Sequence, residues 1–241
     1  MLDKLNLSNV LFLDIETVPQ HSTYKELAKN MAGLWDKKSN QLTQREDKPP
    51  TPEENYNRAG IYSEFGKIVC ISVGMAHGTE DNLEFRLKSF ANDNEKQLLE
   101  DFSNLLTKYY NKTDHLLCGH NAKEFDFPYI CRRMLVHGVK LPKILDIAGK
   151  KPWEIFHLDT MELWKFGDYK HYTALNLLCA IFDIPTPKDD IDGSDVWRVY
   201  WQDKDLKRIA TYCEKDVLTV AQLLLRFKNL PLIKPENVSI S

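Results

Sequence analysis

Apolar residues recur along this chain with two periods, and the switches between them mark out its elements. Residues 10–19, Val-Leu-Phe-Leu-Asp-Ile-Glu-Thr-Val-Pro, are β-branched, aromatic and apolar up to a closing Pro19, which predicts a strand. Residues 67–76 are the strongest predicted strand, with Ile68 to Val73 almost all apolar or β-branched. A turn over 77–82 leads to 83–90, which alternates as a hairpin partner should. Two shorter strands are predicted at 115–119 and 156–159.

Helical spacing governs the rest. It places Leu27, Met31, Leu34 and Trp35 on one face of 24–37, and Leu98, Leu99, Phe102, Leu105 and Leu106 on one face of 94–110, behind the capping pair Asn92-Asp93. Further helices are predicted over about 124–137, 160–166, 173–182 and 205–227, with loops at 143–151 and 184–197. Three strands in succession, then helices alternating with two more, predict an α/β fold: a mixed five-stranded sheet flanked by helices. Segment 20–66 carries the stiff connector Pro49-Pro50-Thr51-Pro52 and no second core, so it reads as an insertion within one domain spanning 1–241.

Composition narrows the class. With 241 residues, 43% hydrophobic and 28% charged, the chain can bury a substantial core as an ordinary soluble protein. A net charge of −3 argues against a protein that coats nucleic acid through a broad basic surface, but not against one that grips a few nucleotides around bound cations. Five scattered cysteines without a C-x-x-C pair suit free thiols in a reducing compartment. The N-terminal residues lack the pattern of a signal peptide and no apolar run is long enough to cross a bilayer, so a cytoplasmic location is expected.

Candidate chemistry lies in three stretches. Asp14 and Glu16 are two apart on the first strand and therefore share a face, where two carboxylates repel unless a cation lies between them. Hard oxygen ligands suit a divalent metal ion, although acid pairs also occur on exposed strand ends. In Gly119-His-Asn-Ala-Lys-Glu-Phe-Asp-Phe, a turn places Asp126 in the first turn of a helix, a common site for any acid. Tyr212 and Asp216 are four apart on the last long helix, beside the apolar stripe of Ile209, Cys213, Val217 and Val220. There Asp216 needs a partner, and a simple Tyr–Asp hydrogen bond is one solution. His120, His137, His157 and His171 have no zinc spacing, and no phosphate-cradling glycine loop occurs. Asp159 and Asp195 read as helix N-caps, and Arg132-Arg133 as a solvated helix face.

Together, D-x-E on the first strand, N-x-x-x-F-D at a strand-to-helix turn and Y-x-x-x-D on a C-terminal helix resemble the three motifs of the DEDD superfamily of 3′–5′ exonucleases. Tyrosine in the third motif resembles its DEDDy branch, and the wider sequence is similar to the exonuclease domain of family B DNA polymerases. Asp14-Ile-Glu-Thr-Val-Pro, Ile68–Val73, Gly119-His-Asn, Asp192-Gly-Ser-Asp-Val and Tyr212-Cys-Glu-Lys-Asp-Val carry the resemblance, which spans about 10–227 and is weakest over 20–66. It implies a ribonuclease H-like sheet whose first three strands are antiparallel. It also implies that Asp14, Glu16, Asp126 and Asp216 hold two divalent ions, Mg²⁺ or Mn²⁺, for a two-metal hydrolysis in which Tyr212 orients the water or the phosphate. Ile15, Thr17, Asn121 and Phe125 fall where the family holds substrate; Phe125 stands equally as a base-stacking group and as core packing. Trp153, Phe156, Trp164, Phe166, Tyr169 and Tyr172 are candidates for a stacking platform, with burial in core or interface the commoner use of such residues.

The expected activity is metal-dependent 3′–5′ exonucleolysis at single-stranded 3′ ends, of DNA before RNA, with any polymerase or repair partner acting in trans. Two other readings remain: a catalytically silent nucleic-acid-binding or assembly module, and a metal phosphohydrolase for small nucleotides.

Overall fold

The computed structural model describes residues 2–80, 82–168, 172–185 and 191–241. Its centre is β1 (Val10–Pro19), whose two edges are occupied by antiparallel β2 (Gly66–Thr79) and parallel β4 (Leu116–Gly119). Beyond β2 comes antiparallel β3 (Asn82–Ala91), and beyond β4 the two-residue parallel β5 (Leu158–Asp159). The expected mixed sheet with three antiparallel leading strands is therefore present. It also gains a sixth strand, β6 (Val238–Ile240), which pairs in parallel with β3 and gives the order β5-β4-β1-β2-β3-β6. Three residues after a Pro-containing loop carry too little periodicity to announce a strand; only the free edge of β3 selects them.

Strand alternation sorts β1 into two cores. Leu11, Leu13 and Ile15 pack with Ile71 and Val73 beneath α2 (Glu95–Tyr109) and α3 (Asp126–Val136). Val10 and Phe12 pack with Ala76 and Phe85 beneath the long C-terminal helix α7 (Leu206–Phe227). Gly74 on β2 lets that helix come close: a Cβ there would collide with Phe85 and press on Val217. The intervening helices are α4 (Thr160–Lys165), α5 (Leu175–Ile181) and the single turn α6 (Val196–Arg198), which runs into a π turn at Val199–Asp203 before α7. Part of the expected 184–197 loop, 186–190, lies outside the described residues, as do Tyr169 and His171.

The 20–66 segment contains α1 (Lys29–Thr43), which starts later than the predicted 24–37 because a 3-10 turn occupies Tyr24–Glu26. Trp35, fully buried, gathers Tyr56, Ala59 and Phe65 into a small cluster of the segment's own. The cluster is tied to the main body by Arg133, which is not on a solvated face as expected but 4% exposed. Its guanidinium donates to both Glu95 carboxylate oxygens, at 2.8 and 2.6 Å, and to the Ser63 carbonyl at 2.9 Å. Gly60 of the same segment lies against Val18 and accepts a hydrogen bond from the Tyr129 hydroxyl at 2.8 Å. The segment thus closes over the end of β1.

Candidate active site

On the α7 side of β1 the apolar row of Val10 and Phe12 is continued by Asp14 and Glu16. Opposite them on β2 stand Ser72 and Cys70. A register shift between Glu16 and Thr17 then bends the strand away. The side chain of Ile15 is buried in the opposite core, so only its backbone borders the acids.

Asp126 arrives because β4 stops early. It pairs with β1 only as far as Phe12, and at Gly119 the chain turns so tightly that a Cβ would collide with Ala122. Asn121 takes the left-handed conformation, with φ of 61°. The turn is anchored by Asp159, whose carboxylate accepts the backbone N–H groups of Asn121 (2.9 Å) and Lys123 (3.0 Å) while also capping α4 through Met161 and Glu162. Its predicted role as a cap is real but is half of what it does. The helix then begins at Asp126, whose Oδ1 accepts the N–H of Ile15 at 3.1 Å and so takes the place that β4 vacated.

Helix α7 brings the remaining groups. Tyr212, Cys213 and Asp216 face the strand, with the Asp216 carboxylate close to the Tyr212 hydroxyl. The Cys213 thiol donates to Asp14 Oδ2 at 3.5 Å and lies against its carbonyl at 3.4 Å. Ligand atoms of Asp14, Glu16 and Cys213 lie within 4.8 Å of one another. Cys213 was not singled out from sequence; its place three residues before Asp216, on the same helix face, was the available signal. Glu214, one position further, turns into the sheet and accepts from Ser89 at 2.7 Å, which in turn is bonded to Ser72 beside Asp14.

The electrostatics of the cluster are those of crowded, buried anions. Burial, then the charges of Asp126, Glu16 and Asp216, hold the Asp14 carboxyl well above its ordinary value. Burial and Asp216 raise Glu16 in the same sense. Asp126 is pushed up to about 7 by burial, against the pull of its backbone hydrogen bonds. Burial and Asp216 also raise the Tyr212 phenol, which therefore stays protonated at neutral pH.

No lysine, arginine or histidine forms an ion pair with Asp14, Glu16 or Asp126 among the described residues. Glu16, 7% exposed, has no hydrogen-bond partner there either. An anionic cage with an unpartnered carboxylate and oxygen donors from three elements fits hard divalent cations.

The other expected substrate residues are placed as follows. Thr17 lies beside the Tyr129 hydroxyl. Phe125 is half-buried, its ring 5.4 Å from that of Tyr129. Asn121 keeps a buried side-chain oxygen without a partner. Of the candidate platform aromatics, Trp164 is packed between Phe182 and Phe227, whereas Trp153, Phe156, Phe166 and Tyr172 are exposed.

A sequence-family model described as a predicted 3′–5′ exonuclease related to the exonuclease domain of PolB matches residues 61–232. The matched region contains Asp126, Tyr212 and Asp216; Asp14 and Glu16 precede it. Among solved structures, the family B DNA polymerase from the hyperthermophilic archaeon Pyrobaculum calidifontis matches with a TM-score of 0.50 and 16% identity, over 90% of this chain and 24% of that one. The chain thus spans about a quarter of the polymerase, and the likeness supports a ribonuclease H-like fold. No described helix is long and apolar enough to cross a membrane.

Proposed function

The chain belongs to the family of predicted 3′–5′ exonucleases related to the exonuclease domain of PolB, and from that premise we propose that it is a metal-dependent 3′–5′ exonuclease. It hydrolyses phosphodiester bonds at single-stranded 3′ ends, of DNA in preference to RNA. The observation that carries this reading is the convergence of Asp14, Glu16, Asp126 and Asp216 from one strand and two helices, each mutually raising the cost of the others' charge. A protein that only binds nucleic acid gains nothing from such a cluster.

In this proposal the four carboxylates hold two divalent ions, Mg²⁺ or Mn²⁺. When bound, these ions supply an activated water and compensate the charge on the departing 3′ oxygen. The chain's own residues do the rest. Ile15 N–H fixes one oxygen of Asp126 and leaves the other for the cation. Tyr212, held protonated and aligned by Asp216, orients the water or the scissile phosphate as a hydrogen-bond donor and takes no proton itself. The backbone at Ile15–Thr17, together with Asn121 and Phe125, borders the terminal nucleotide.

Oligonucleotides labelled at either the 3′ or the 5′ end, incubated with Mg²⁺, with Mn²⁺ and with a chelator, test the proposal. Stepwise shortening from the 3′ end that the chelator stops is the expected result. Binding without cleavage would instead make the chain a silent module, and turnover of mononucleotides alone would make it a phosphohydrolase.

A further inference from the structure

Four of the large aromatic side chains left in solvent fall within twenty residues of one another, between β4 and α5: Trp153, Phe156, Phe166 and Tyr172. Burial explains none of them, and Phe166 is the extreme case. It is 91% exposed, and it ends α4 in the left-handed conformation with φ of 44°, which a bulky side chain adopts only under strain. The backbone is thus holding a phenyl ring out into water.

Two cavities lie beside this stretch, one of them reaching the active-site turn. A cavity of about 480 Å³ is lined by Asn121 and Lys123 of the active-site turn together with Lys150, Lys165 and Gly167, the neighbour of Phe166. Lys150 also lines an adjoining cavity of about 140 Å³, which it shares with Lys143 and Phe156. Lys151 lies over the Trp153 ring, 5.2 Å from its centroid.

Acids are present but largely engaged. Asp159 accepts four backbone N–H groups, Glu162 pairs with Lys123 at 2.6 Å, and Asp168 has a partner of its own. Glu154 accepts the N–H of Lys151 at 2.8 Å. Lys143, Lys150, Lys151 and Lys165, by contrast, form no ion pair among the described residues, although Glu124, Asp159, Glu162 and Asp168 also line the larger cavity.

Free cations interleaved with exposed rings are what a single strand recognises, through its phosphates and its base faces. We propose that this surface is a stacking track for single-stranded nucleic acid, on which Trp153, Phe156 and Phe166 hold the nucleotides upstream of the 3′ end. The inference rests on the nuclease reading for its substrate, but its test does not depend on cleavage.

With metal chelated, binding is measured by fluorescence anisotropy for labelled single strands of about 12 and about 4 nucleotides, spanning the site sizes usual for such surfaces. The wild-type protein is expected to bind the longer strand at least about tenfold more tightly, given that stacking on one ring contributes about 1–3 kcal/mol per base. The variant carrying Trp153→Ala, Phe156→Ala and Phe166→Ala should lose that length advantage while keeping its melting temperature, since all three side chains stand in solvent. Lys150→Ala with Lys165→Ala should weaken binding to the longer strand and flatten its salt dependence. Retention of the length advantage by the triple variant overturns the proposal. So does unchanged strand binding accompanied by loss of self-association in sedimentation, which would make the patch a protein contact. Failure of the end-label assay with a preserved length effect would sink the nuclease reading alone.

Discussion

At the scale of single residues, the acids divide by what holds them. Asp14 carries only a thiol contact, Glu16 none, and Asp126 a backbone N–H, so removing any one changes a different part of the same cage. Asp14→Ala should nearly abolish hydrolysis. Tyr212→Phe, which deletes only an orienting hydroxyl, should lower kcat by about 10²–10³-fold; equal and negligible effects from both would refute the site. The pKa shifts give a sign that can be checked without substrate. Asp126 is raised to about 7, so below about pH 4 it is protonated both folded and unfolded, while between about 4 and 7 it keeps its proton only in the folded state. Metal-free stability should therefore fall as the pH rises through that window, and Asp14 and Glu16, shifted the same way, should deepen the fall. Melting curves in chelator across this range test it: Asp126→Asn should flatten the profile, and saturating Mg²⁺ should restore the lost stability at neutral pH.

At the scale of elements, two turns decide what the strand pattern alone leaves open. The 119–125 turn was legible as a turn, because Gly119 and the polar residues after it break the β4 run. What it holds against β1 was not, since the Asp159 clamp comes from a strand of two residues about forty positions away. The second device is the Glu95–Arg133 pair, joined by His137 at 2.7 Å from the same carboxylate. Sequence offered Arg133 as one of two surface arginines; nothing local says that α2 and the 20–66 segment converge on it. A buried pair broken on one side costs about 3–5 kcal/mol because the other charge is stranded. Glu95→Ala should lose about that much in denaturant unfolding, and increased proteolysis within 20–66 should accompany it as the Ser63 and Gln20 contacts weaken. A loss under about 1 kcal/mol would show that the pair is not the tether.

At the scale of the whole molecule, the net charge of −3 and the placement of a few unpaired lysines beside one end of the sheet set how nucleic acid can be held. With the four unpaired lysines Lys143, Lys150, Lys151 and Lys165 on the track, each contributing about 0.7 to a single-strand salt slope, log K against log salt should fall with a slope of about −3. A slope several times steeper would mean a basic surface elsewhere carries the binding. The sequence by itself determined the strands β1 to β4 and the long helices, because each is written in a local period, whereas the four acids and their tyrosine were singled out only by the resemblance of three separate motifs. Tertiary structure alone decided the sixth strand, the burial of Arg133, the second role of Asp159, the thiol of Cys213 beside Asp14 and which aromatics stay in water. All of these depend on contacts between residues far apart in the chain, where no periodicity carries information: an apolar ring or a charged side chain has the same local signature whether it is buried or exposed. The pair of carboxylates on β1 shows both limits at once, since alternation puts Asp14 and Glu16 on one face, but only the packing of α3 and α7 supplies the other two.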